Sequence, residues 1–147
     1  MALAARLLDA PAPFPLHKVQ ALYDVILDEF PTNRDAVDAI GFAFGECLVG
    51  KRDFEWVTVD DEWGLEPSIA LIGYDLTCHP LAMMHKRIER GERVNLQELL
   101  EDTLWTIESR FAKGAVGIRE AAVAAPPIPL FRRIRLAVRR YLNKDRA

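Results

Sequence analysis

The sequence predicts an α+β fold: two N-terminal helices, a three-stranded antiparallel β-meander, then two or three helices packed on the sheet, plus a basic amphipathic C-terminal helix. Three observations predict it. Residues 54–80, FEWVTVDDEWGLEPSIALIGYDLTCHP, are rich in β-branched and aromatic residues and lack a helical period. The stretches on either side repeat their apolar residues every three or four positions, as amphipathic helices do. The turns inside 54–80 are too short for the crossovers that parallel strands need, so the strands run antiparallel. A sheet this small is stable only under a cover of helices, and the chain is expected to be organised around it.

Ala2 to Ala10 allows one or two helical turns, ended by Pro11, Pro13 and Pro15. A first long helix spans Leu16 to Phe30, with Leu16, Val19, Gln20, Tyr23, Ile26, Leu27 and Phe30 on one stripe, all apolar but Gln20. Pro31 stops it. Thr32 and Asp35 resemble a capping box for the next helix, which runs to about Val49 and is closed by Gly50 at the C′ position. Its buried edge is Val37, Ile40, Phe44 and Leu48. Gly41 and Gly45 each cost about 1 kcal/mol relative to Ala in a helix interior, which implies a close approach by another backbone.

The strands are expected at Phe54 to Val59, Ser68 to Ile72 and Leu76 to His79, with Trp56 in the core. Asp60-Asp61-Glu62-Trp63-Gly64 reads as the first turn and Gly73-Tyr74-Asp75 as the second. Pro67 suits a strand's first residue, where a missing N–H is harmless. Pro80 fits the first turn of a helix carrying Leu81, Met84 and Ile88, ended by Gly91. Asn95 with Glu98 signs the start of another, carrying Leu96, Leu99, Leu100, Leu104, Ile107 and Phe111, and closed by Gly114. Ala115 to Ala125 suits a further short helix. The domain plan is a single α+β domain over 1–125, a proline linker at 126–129, and a basic amphipathic helix at 130–147 docked on the domain.

Charge bounds the function. The net charge is −3, but the first 128 residues hold 12 Lys/Arg against 21 Asp/Glu, while seven Lys/Arg and one acid follow from Pro129 onward. An acidic body argues against nucleic-acid binding. No run approaches the 18 apolar residues of a membrane span, and no basic n-region with an apolar core reads as a signal peptide. The two cysteines, Cys47 and Cys78, fit neither a disulfide framework nor a zinc pattern and suit a reducing cytoplasm. His79 and His85 lie six residues apart, a spacing that does not put two helical side chains on one face. No phosphate-binding loop and no nucleophilic triad can be assembled, so no cofactor and no catalytic set are expected.

Two groups of residues remain as candidates. Asp60, Asp61 and Glu62 beside Trp63 make an acidic surface with an aromatic anchor, suited to a basic protein partner. As a cation site the same acids lack the glycine spacing of a calcium loop. Glu46 lies on a helix that is otherwise small and apolar, and a buried carboxylate requires a partner. Lys86 or Arg87 is the expected one, in a structural ion pair. Lys86, Arg87, Arg90 and Arg93 form a basic strip, read first as a solvated or internally paired face and second as an anion-binding one.

Residues 41–108 resemble a bacterial family, domain of unknown function 3806. GFAFGECLV at 41–49, EWVTVDDEWG at 55–64 and PLAMMHKRIERGE at 80–92 carry the resemblance. It implies a helix with a Gly-x-x-x-Gly-Glu element, a Trp-containing strand, an acidic turn with Gly and a Pro-led helix. It implies no activity. The function expected is a non-enzymatic protein-interaction module of the bacterial cytosol, with its acidic face holding a basic partner. Neutralising a basic toxin is one role that size and charge fit. The rival is a small hydrolase or ligand-binding protein in which Glu46, Asp61 and Lys86 converge.

Overall fold

In order, α1 (Leu16–Glu29), α2 (Arg34–Val49), β1 (Phe54–Asp61), β2 (Gly64–Leu71), β3 (Thr77–Cys78), α3 (Pro80–Glu89) and α4 (Leu96–Ala112) make up the α+β fold that the sequence predicts. The computed structural model describes residues 14–62, 64–114 and 117. The short N-terminal helix, the proline linker, the C-terminal helix and Trp63 lie outside the described residues.

The three strands form one antiparallel sheet in the order β1-β2-β3. β1 and β2 pair over their full length, from Phe54 opposite Leu71 to Asp61 opposite Gly64. The hairpin is therefore longer than expected. Asp60 and Asp61 are strand residues rather than turn residues, and only positions 62 and 63 separate the strands, the two-residue connection that best matches strand twist. Gly64 takes φ +112°, which an L side chain avoids. Pro67 sits inside β2, opposite Thr58, not at its start. β3 pairs only with Ile69 and Ala70, so the missing N–H of Pro67 deprives β3 of no bond.

α2, not the sheet, is the element around which the fold is organised. Every residue from Ala36 to Leu48 except Asp38 is buried. A helix apolar all round belongs in the interior. Around it lie the fully buried side chains of Tyr23 from α1, Ile69 from β2, Met84 from α3 and Leu96 from α4. Gly41 and Gly45 have distinct reasons to be small. A Cβ at Gly41 would lie 2.7 Å from Leu81 Cα, which is the close backbone approach expected; one at Gly45 would lie 2.6 Å from Trp56 Cζ2 and 3.1 Å from Pro80 Cγ.

The helix ends differ in detail from expectation. The N-cap of α2 is Asn33, not Thr32, and its side chain accepts from the Ala36 N–H at 3.1 Å. Gly50 closes α2 in a right-handed conformation, with no left-handed turn. Asn95 caps α4 as expected, accepting from the Gln97 and Glu98 N–H groups.

Gln20, the polar residue on the α1 stripe, joins α1 to the start of α4. Its Nε2 donates to Val94 O at 2.9 Å, and its Oε1 accepts from Leu96 N at 2.7 Å, one of the orphan donors at a helix start. Tyr23 Oη donates to Glu92 O at 2.7 Å, holding the same loop. Burial pushes the Tyr23 hydroxyl up to about 12. Among the described residues no helix is long and apolar enough to cross a membrane.

Candidate functional site

The acidic surface lies at the far end of the β1–β2 hairpin. Asp60 and Glu62 are exposed. Asp61 closes the ladder opposite Gly64. Leu65, opposite Asp60, is 72% exposed, so the tip offers an apolar side chain beside its carboxylates. β1 is an outer strand, and among the described residues no strand pairs with its far edge. Such an edge presents backbone donors and acceptors in a row.

Glu46 is buried, but its partner is not the cation the sequence suggested. Trp56 Nε1 donates to Glu46 Oε1 at 2.6 Å. The cause is local. With no side chain at Gly45, the indole can lie against α2, where it also meets Phe42 at a centroid separation of 5.5 Å. Trp56 is half-buried rather than fully buried. Among the ion pairs of the described residues none joins Glu46 to Lys86 or Arg87.

The basic strip divides. Arg93 pairs with Asp28, and Arg90 lies 3.5 Å from Glu92. Arg87 Nη1 donates to Met83 O at 3.1 Å, and Arg87 and Lys86 line a groove of about 420 Å³ between β3, α3 and α4. Glu46, bonded to Trp56, is not part of that wall.

One cluster escaped the sequence because its members come from two elements, Glu66 and Ser68 from β2 and His79 from the N-cap of α3. Ser68 Oγ lies 2.8 Å from His79 Nδ1, and Glu66 Oε2 lies 3.6 Å from the same nitrogen. Nucleophilic catalysis uses opposite ring nitrogens, one for the hydroxyl and one for the orienting acid. Here both address Nδ1, and Ser68 is wholly buried where no substrate reaches its oxygen. The cluster ties the start of α3 to the sheet. Register alone could have found it, since Ser68 neighbours Ile69, which pairs with Cys78 beside His79.

Both cysteines are free. Burial pushes the Cys78 thiol up to about 11, and burial together with the Glu46 charge does the same to Cys47. Both are therefore neutral thiols at physiological pH and poor nucleophiles. Cys47 Sγ donates to Phe14 O at 3.3 Å. Among the described residues no three of His, Cys, Asp and Glu gather as ligands for a metal ion.

These features define a small α+β domain in which buried Glu46 bonds to Trp56 and buried Ser68 to His79, with acids at the hairpin tip and Lys86 and Arg87 along a groove. The chain belongs to the family Domain of unknown function (DUF3806), whose model matches residues 17–99. The match begins at α1, earlier than the residues that carried the resemblance, and takes in Gln20 and Tyr23. No curated protein and no solved structure matches the chain.

Proposed function

We propose that this domain is a non-enzymatic protein-binding module that holds a basic, extended segment of a partner protein along the β1–β2 hairpin. The observation that carries the reading is the outer strand β1 ending in Asp60 and Asp61, with Glu62 in the turn that follows and Leu65 exposed across from Asp60. Strand addition to such an edge supplies affinity through main-chain hydrogen bonds, while side chains select the partner. Carboxylates at the tip steer a cationic segment and raise its association rate. The Trp63 side chain is the expected anchor of this surface. The free, unreactive thiols suit a reducing bacterial cytoplasm as its compartment.

The test is binding to a synthetic peptide of alternating Lys and Val, followed by chemical-shift changes in the amides of residues 54–61. Asp60→Lys with Glu62→Lys is expected to weaken binding at least tenfold at low salt, and 0.5 M NaCl to do the same to the wild type. Equal binding by the reversed variant, or shifts confined to other elements, would refute the reading.

A further inference from the structure

We propose that the groove between β3, α3 and α4 is a second binding site, which takes a small organic anion with an apolar body and one carboxylate head. The argument starts from charge. The first 128 residues carry nearly twice as many acids as bases, yet the groove wall contains Lys86, Arg87 and Arg110 and no carboxylate. Among the described residues neither Lys86 nor Arg110 makes an ion pair. The guanidinium of Arg87 is anchored through Nη1 to Met83 O, which leaves donors of its fork for a ligand. Arginine forks match a carboxylate in a bidentate pair.

The rest of the wall fixes the ligand's other end. Leu76 and Ile107 are buried at its base, with Met83 half-buried beside them. The hydroxyls of Thr103 and Thr106 are spent on their own helix, donating to Leu99 O and Asp102 O at 2.7 and 2.8 Å. They offer an anion no proton. Thr77 and His79 also line the groove, with Thr77 Oγ1 3.4 Å from His79 Nε2, and the three cations supply the charge that holds the head. A groove of about 420 Å³ lies within the range of small-molecule sites, roughly 300–1,000 Å³. The chain beyond Gly117 is a poor occupant by charge, with eight Lys/Arg against two acids.

The experiment titrates octanoate, octanamide and inorganic phosphate into the full chain and follows backbone amide shifts. Octanoate is expected to move the amides of Met83, Ile107 and Arg110 with a Kd at least tenfold below that of octanamide, and phosphate alone to bind more weakly than octanoate. Lys86→Gln with Arg110→Gln, both at exposed positions, should weaken octanoate at least tenfold while leaving the spectrum of the remaining chain unchanged. Octanoate and octanamide binding equally, phosphate binding as tightly as octanoate, shifts away from the groove, or no shift at millimolar octanoate would each overturn the proposal. The hairpin variant Asp60→Lys with Glu62→Lys should bind octanoate as wild type does, which separates this site from the one proposed for the partner.

Discussion

Trp56 shows what a single side chain does here. It covers Gly45, meets Phe42 and supplies the donor that a buried carboxylate requires. The two contributions can be separated by substitution. Trp56→Ala removes both and is expected to cost about 3–5 kcal/mol. Trp56→Phe keeps most of the apolar area but leaves Glu46 buried without its donor, a loss of about 1–3 kcal/mol. In urea melts, Trp56→Phe combined with Glu46→Leu should be less destabilised than the sum of the singles, because the second change removes the orphaned charge. Additive losses would show that Trp56 and Glu46 are not coupled. The sequence placed Trp56 in the core, where the structure has it half-buried against the core, and read Glu46 as a buried acid in search of a partner. It pointed to a cation because charge pairing is the commonest remedy for a buried carboxylate. An indole N–H ten residues away serves as well once Gly45 admits the ring, and no periodicity encodes that approach. Gln20 was opaque for a related reason: its carbonyl and amide serve a loop 74 to 76 residues away.

At the level of elements, the pairing of α2 with α3 and β1 rests on two missing methyl groups. Gly→Ala in a helix interior usually stabilises by about 1 kcal/mol. At Gly41 the added methyl meets the Leu81 backbone, and at Gly45 it meets an aromatic ring held by its own hydrogen bond. Overpacking of this kind costs about 1–3 kcal/mol, which outweighs the propensity gain. Gly41→Ala and Gly45→Ala are each expected to lower Tm by several degrees in calorimetry, and a rise in either would show that the helices part at little cost. Element types were legible throughout the described residues, because apolar spacing switches from helical to alternating at Phe54 and back after Pro80. Boundaries were less so. Three consecutive acidic residues look like a turn, yet the ladder runs through two of them, because the Gly64 backbone completes a two-residue connection. The place of α2 at the centre was also hidden, since a helix with small residues on its second face reads as amphipathic until its neighbours are known.

At the scale of the molecule, three weak acids are kept neutral by burial: Cys47, Cys78 and Tyr23, raised to about 11, 11 and 12 from ordinary values of 9.0, 9.0 and 10.0. Between the two values the unfolded chain has lost its proton and the folded chain still holds it. The folded state then binds more protons than the unfolded one, so stability falls as pH rises. The two thiols act over pH 9 to 11 and the phenol over pH 10 to 12, and below pH 9 all three contributions are fully present. Thermal melts should therefore hold a constant Tm from this source up to about pH 9 and decline steadily above it. Cys47→Ala with Cys78→Ala should flatten the limb between pH 9 and 10, make it shallower between pH 10 and 11, and leave the Tyr23 contribution from pH 10 to 12. Thiol alkylation supplies an independent check. Native protein should react slowly at pH 8, where urea-unfolded protein reacts readily, and should accelerate only as the pH nears 11. Fast alkylation of Cys78 in the native state at pH 8 would mean that the base of the groove holds a thiolate. A nucleophile beside three cations would then turn the groove from a place that binds an anion into one that reacts with it.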